Sequence, residues 1–284
     1  MTSVPAAVPH PKIMGILNVT PDSFSDGGKY IDRHTAIERG LRMVDEGASI
    51  IDVGGESSRP GSNSVPARIQ IERVVPVIEN LKITLGDRVE LSVDSSDPEV
   101  AARALAAGAT IINDISAGQH SEMLDLAAEK GASIVLMHMQ GSPATMQQRP
   151  HYDDVVKEIC DFLADRIQRA YSAGVSAARV IIDPGIGFGK STEHNLHILR
   201  ELRQIVELGR PVLLGTSRKR FLSSICQETT FERLVGGTCA TSVLGALAGA
   251  SIFRVHDVRE NRQAIDVVLA TLNGRISSHD VRRI

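Results

Sequence analysis

The stretch Glu90-Leu91-Ser92-Val93-Asp94-Ser95-Ser96-Asp97-Pro98 closes one element and opens the next. Glu90 to Val93 is a short run of strand type, and polar Asp94 follows it. Asp97 offers a side-chain oxygen to the unpaired N–H groups of a helix start, and Pro98 fits the first turn because its missing N–H is not needed there. Helical spacing runs from Pro98 to Ala107 and stops at Gly108, a residue suited to the left-handed conformation that ends helices. Thr110 to Ile112 is a second strand, and it too delivers a polar residue, Asn113. The unit is therefore strand, helix, strand, with a polar group past each strand.

The same unit repeats in both directions. Strands are expected at Ile13 to Leu17, Ser49 to Val53, Ser133 to Met137, Val180 to Ile182, Val212 to Leu214 and Ile252 to Val255, which with the two above makes eight. Helices are expected near Thr35 to Glu46, Ala67 to Leu85, Ser121 to Glu129, Asp153 to Ser172, Glu193 to Glu207, Arg233 to Ala248 and Glu260 to Leu272, with Gly47, Gly131, Gly174 and Gly209 as further end caps. Strict alternation demands right-handed crossovers and a parallel sheet, and eight units in about 250 residues is the size of a (β/α)8 TIM barrel. An open doubly wound sheet is the alternative. The barrel is favoured by the polar residues that follow every strand: Asn18, Glu56 with Ser57 and Ser58, Asp94, Asn113, His138, Asp183, Ser217 with Lys219, and Arg254 with His256. In a barrel they meet at one mouth; an open sheet would strand some of them.

Composition narrows the function classes. The 284 residues carry 31 basic and 34 acidic side chains, a formal net charge of −3, and the charges are interspersed, so no basic stripe marks a nucleic-acid backbone. No apolar run spans a bilayer, the longest weakly polar one being Cys239 to Phe253, and Met1 to Pro11 lacks the pattern of a secretory signal. Cys160, Cys226 and Cys239 are odd in number and without metal spacing, which suits a reducing cytoplasm. A single domain at 12–275 is expected, between a flexible N-terminal segment at 1–11 and a tail at 276–284. Two βα connections, Asn18 to Tyr30 and Gly54 to Val65, are long for their class and read either as mobile lids or as plain surface excursions.

Asp94 and Asp183 each end an apolar run, and with Asn113 and Lys219 they offer acceptors and donors suited to a flat heterocycle. Each taken alone could equally cap a loop. Arg254 and His256 alternate along the last strand, share a side, and with Asn18 make an anion site to which Ser217-Arg218-Lys219-Arg220 adds charge. The Gly-rich segment Asp183 to Lys190 has neither Walker nor Rossmann spacing. Ser57 and Ser58 lack an adjacent base, which argues against a covalent serine mechanism.

The segments Ile16 to Gly28, Asp52 to Gly61, Asn113-Asp114-Ile115, Leu136 to Gly141, Asp183 to Lys190, Ser217-Arg218-Lys219 and Arg254 to Asp257 closely resemble the dihydropteroate synthases, over about residues 12 to 272. The resemblance implies a usually dimeric barrel that joins 6-hydroxymethyl-7,8-dihydropterin diphosphate to 4-aminobenzoate and releases diphosphate in folate synthesis. It further implies a pterin pocket of Asp94, Asn113, Met137, Asp183, Phe188, Gly215 and Lys219, and a diphosphate site of Asn18, Arg254 and His256. By the same likeness Mg2+ bridges Asn18 and phosphate oxygens, and the aminobenzoate end is formed by Ser58, Arg59, Pro60, Ser217 and Lys219. Asp94, Asp183, Lys219, Arg254 and His256 are the residues expected to carry catalysis. An arylamine is already neutral near pH 7, so the demanding step is loss of diphosphate, which cations and Mg2+ assist electrostatically.

Ser58 and Ser95 stand where Thr is usual, and Arg220 stands where a small Ser is common, which leaves the shape of the aminobenzoate end and any sulfonamide response open. Two other readings fit parts of the pattern. A pterin-binding methyltransferase shares the barrel and carboxylates but has no use for Asn18, Arg254 and His256 together; a non-catalytic paralogue rests only on Ser58 and Arg220.

Overall fold

A computed structural model describes residues 10–20, 29–57 and 64–274. The strands are β1 (Lys12–Asn18), β2 (Ile50–Gly54), β3 (Glu90–Asp94), β4 (Ile111–Asp114), β5 (Ser133–Met137), β6 (Val180–Asp183), β7 (Leu213–Leu214) and β8 (Ile252–Val255). The helices are α1 (Lys29–Asp45), α2 (Ala67–Leu85), α3 (Pro98–Ala106), α4 (Ser121–Lys130), α5 (Val155–Ser172), α6 (Thr192–Arg200), α7 (Leu202–Val206), α8 (Arg220–Cys226), α9 (Val235–Ala248) and α10 (Val258–Asn273). All strands pair in parallel in the order β6-β5-β4-β3-β2-β1-β8-β7. The two ends of that row meet: Ile182 bridges Val212, and its N–H donates to Pro211 O at 3.0 Å. An open sheet would keep those strands apart, so the architecture is the (β/α)8 barrel.

Strand alternation sorts each strand into two faces. Ile13, Leu17, Ile51, Val53, Leu91, Val93, Ile134 and Leu136 point outward into the core shared with the helices. Met14, Ile50, Ile111, Val135, Ile181, Leu213 and Ile252 form a separate buried cluster, one residue from every strand except β3, and plug the interior as barrel layers do. Above this plug the inward positions become polar. At the next level stand Asp52, Ser92 and Arg254; above them Asn18, Asp94 and Asp183 close their strands, and Asn113 is the last residue but one of β4.

Several boundaries differ from expectation. Asp94, Asn113 and Asp183 belong to their strands because ladder pairing uses backbone groups and is indifferent to a polar side chain. The expected Glu193 to Glu207 helix breaks at Glu201 (ψ 17°) into α6 and α7. The helix expected from Arg233 starts at Val235 after a 3-10 turn, and α8 is a short helix that the sequence reading did not foresee. By contrast, Gly47, Gly108, Gly131, Gly174 and Gly209 all have positive φ. Asp97 caps α3 as expected, accepting from Glu99 N at 2.8 Å and Val100 N at 3.3 Å.

The expected N-terminal segment and C-terminal tail lie outside the described residues, apart from residues 10 and 11. So do most of the first long loop and residues Ser58, Arg59 and Pro60 of the second. Among the described residues no helix is long and apolar enough to cross a membrane, and the three cysteines are free thiols.

Candidate active site

Register sets the mouth of the barrel. Asn18 pairs with Gly54, Gly54 with Asp94, and Asp94 with Asn113, so β1, β2 and β3 end level with one another and β4 one residue beyond; Met137 and Asp183 pair in the same way farther round. Gly54 brings no side chain into this row, and a Cβ there would lie 3.4 Å from both Asn18 Oδ1 and Asp94 Cβ. A cavity of about 530 Å³ opens at this end, lined by Asn18, Asp94, Phe188, Gly215, Ser217, Lys219, Arg254 and His256 among others. That volume is ordinary for a small-molecule site. Asn113, Met137 and Asp183 stand at the same strand ends, largely buried but with 4%, 3% and 7% of their surface still exposed.

Arg254 dominates the electrostatics of the floor. Its Nε donates to Asp52 Oδ2 at 2.7 Å and a terminal nitrogen donates to Asp94 Oδ2 at 2.5 Å. These two carboxylates hold the guanidinium firmly charged. Asp94 nevertheless sits at about 7, because burial penalises its charged form and Asp52, Glu56 and Asp114 add repulsion, and Arg254 offsets only part of this. Asp183 is raised by burial, against the pull of Lys219 and the hydrogen bond from Gly185 N at 2.6 Å. Burial lowers Lys219 to about 8 despite the Asp183 charge; its ammonium donates to Ile186 O and lies 4.5 Å above the Phe188 ring.

The neighbouring loops are tied as firmly. Ser217 Oγ is 3.0 Å from His256 Nδ1 and accepts from His256 N at 3.2 Å, which joins the loop after β7 to the end of β8. Arg218, expected to add positive charge to the anion site, lines the cavity and forms a bidentate pair with Asp257 at 2.6 and 3.1 Å. Gly185 has φ 65°, and a Cβ on it would overlap the His138 carbonyl oxygen, so this turn accepts no other residue.

Comparison with known proteins bears on what such a mouth is for. The model of the pterin binding enzyme family matches residues 14–256. Dihydropteroate synthase of Escherichia coli is 44% identical over 266 residues, 94% of this chain and 93% of that protein. The chain belongs to the dihydropteroate synthase family. A crystal structure of the Xanthomonas albilineans dihydropteroate synthase with 4-aminobenzoic acid superposes with a TM-score of 0.87 at 45% identity, covering 93% of this chain and 94% of that one. The same enzyme in complex with 7,8-dihydropteroate gives a TM-score of 0.84 at 42% identity, covering 94% and 95%.

Within this dihydropteroate synthase fold, Asp52 and Lys190 join the strand-end residues Glu56 and His138 that the sequence already places near the mouth. Asp52 lies in the middle of β2, and alternation with Ile50 and Gly54 aims it inward. Buried Lys190 donates to Phe188 O at 2.9 Å and lies 2.9 Å from His138 Nδ1, and burial together with this lysine lowers the His138 imidazole to about 3, leaving it neutral. Glu56 accepts from Val65 N at 3.0 Å and Gln70 Nε2 at 2.9 Å, which fastens the far foot of the second long loop to α2. The Lys190–His138 pairing joins residues 52 positions apart, and no local spacing reveals it.

Proposed function

We propose that this chain condenses 6-hydroxymethyl-7,8-dihydropterin diphosphate with 4-aminobenzoate, giving 7,8-dihydropteroate and diphosphate in folate biosynthesis. One observation carries the reading: a single cavity is lined both by Asp94, Phe188 and Lys219, suited to a pterin, and by Asn18, Arg254 and His256, suited to a diphosphate. Asn113, Met137, Asp183 and Gly215 complete the pterin side. The ring's N–H groups donate to the carboxylates, Asn113 supplies donor and acceptor, and Lys219 donates to the ring.

Arg254 and His256 face the leaving group, where they stabilise the charge that grows as the bond from the pterin methylene carbon to diphosphate breaks. Asp94 and Asp183 hold the ring while it carries the resulting cationic character. The neutral arylamine then attacks, and no strong base is needed. Ser217 and Lys219, with Ser58, Arg59 and Pro60 from the second loop, hold the aminobenzoate.

Mg2+ suits these residues as a substrate-borne ion. Among the described residues no group of three His, Cys, Asp or Glu side chains is arranged to hold a metal. Mg2+ commonly keeps several waters and binds mainly through substrate phosphates, so the carboxamide oxygen of Asn18 is a fitting lone protein ligand. When bound it supplies neutralisation of diphosphate charge.

The domain is proposed to span 12–275, in a cytoplasmic protein that acts on small molecules rather than nucleic acid or membrane. A homodimer is proposed across α9 and α10, which expose Leu244, Leu247, Val267 and Leu272. Gly245 does not belong to that surface: a Cβ on it would collide with Leu214 and Phe253, so the small residue serves close internal packing.

The test is diphosphate release by purified protein supplied with pterin diphosphate, 4-aminobenzoate and Mg2+. Release that requires both organic substrates and matches dihydropteroate formed supports the synthase; binding without release favours the non-catalytic paralogue, and methyl transfer from a folate the methyltransferase.

A further inference from the structure

Asp52 is fully buried in the middle of β2, below the cavity rather than on its wall. The level beneath it is filled by apolar side chains, as barrel interiors usually are, and a charge in such a place costs desolvation unless it is paired. A single oxygen, Oδ2, meets two donors: Arg254 Nε at 2.7 Å and Asn113 Nδ2 at 3.0 Å. Those residues come from strands on opposite sides of β2 and stand at the diphosphate end and the pterin end of the proposed site. The other oxygen, Oδ1, is buried without a hydrogen-bond partner among the described residues, and so is Ser92 Oγ, which lies across the β2–β3 ladder in register with Asp52. This carboxylate is thus not the best-satisfied group that could fill the space, and its value for stability alone is low.

We propose that Asp52 is a positioning residue that sets the Asn113 carboxamide and the Arg254 guanidinium from one oxygen, so that both ends of the pterin diphosphate meet a prearranged partner. It touches no substrate. Its two bonds take up one hydrogen on each donor, which leaves the remaining Asn113 and Arg254 hydrogens directed elsewhere. Because Arg254 also reaches Asp94, the arrangement ties together side chains from four strands, β2, β3, β4 and β8.

The inference rests on the synthase reading, and the experiment separates the two. Turnover with pterin diphosphate and 4-aminobenzoate is measured for the wild type and Asp52→Asn, together with binding of 6-hydroxymethylpterin followed by its fluorescence. Asn keeps the volume and removes the charge that strengthens both bonds. The variant is expected to raise KM for pterin diphosphate and Kd for 6-hydroxymethylpterin at least about fivefold, with KM for 4-aminobenzoate changed by less than about twofold. A merely structural role would lower kcat through loss of active protein at unchanged KM and Kd, and that result overturns the proposal. No turnover by the wild type would instead remove the synthase reading. Should Asp52→Asn not fold, Asp52→Glu, which keeps the charge and displaces the oxygens, is held to the same two outcomes.

Discussion

Arg254 sets the charge balance of the mouth, with Nε on Asp52 and a terminal nitrogen on Asp94. Its replacement by Ala would leave two buried carboxylates uncompensated and deprive the departing diphosphate of a cation. Arg254→Ala, Lys219→Ala and Asp183→Ala should each cost about 1.5 to 3 kcal/mol, ten-fold to a hundred-fold, the first chiefly in diphosphate binding and release and the other two in pterin affinity measured by calorimetry. The pH profile follows from two shifted groups. Asp94, raised to about 7, accepts N–H donors as a carboxylate only above that value; Lys219, lowered to about 8, donates as an ammonium only below it. The plot of kcat/KM for pterin diphosphate should therefore be a narrow bell, falling below about 7 and above about 8. Asp94→Asn should abolish the acid limb; an acid limb that survives this change would assign it to another group. The residues at strand ends were legible in the sequence because a polar side chain after an apolar run stands out. The role of Asp52 was not, because a carboxylate inside a strand is explained by Asn113 and Arg254, 61 and 202 positions away.

Helix α3 shows how much a local signal can decide. Asp97 accepts two N–H groups of its first turn, so Asp97→Ala should lower stability by about 1 kcal/mol in urea denaturation while leaving KM unchanged. Gly185→Ala tests the opposite kind of element, a turn fixed by a distant strand. With φ 65° and the His138 carbonyl in the place of a Cβ, the substitution should cost more than about 1 kcal/mol and weaken pterin binding, because the same turn supplies the N–H that holds Asp183. Long helices and their glycine caps were readable from periodicity. The split of α6 from α7 and the presence of α8 were not, since helices of five and seven residues offer too few turns for a period to show.

The closed barrel turns eight weak sequence signals into one site. No single strand end specifies a pterin or a diphosphate; closure between Ile182 and Val212 brings β6 beside β7 and so sets Asp183 on the same rim as Arg254 and His256. Alternation of eight strands and helices asked for a parallel sheet, and the polar residue after every strand favoured its closure; the oligomeric state has no such signal in the sequence. If α9 and α10 carry the dimer contact, Leu244→Glu combined with Val267→Glu should yield monomers in sedimentation analysis with the fold intact; an unchanged dimer would place the contact elsewhere. The most direct measurement for the site is a crystal structure of the protein with pterin diphosphate. The pterin ring should lie among Asp94, Asn113, Asp183 and Lys219 with its diphosphate against Asn18, Arg254 and His256. A ring seated outside the barrel mouth, or a diphosphate remote from Arg254, would contradict the account.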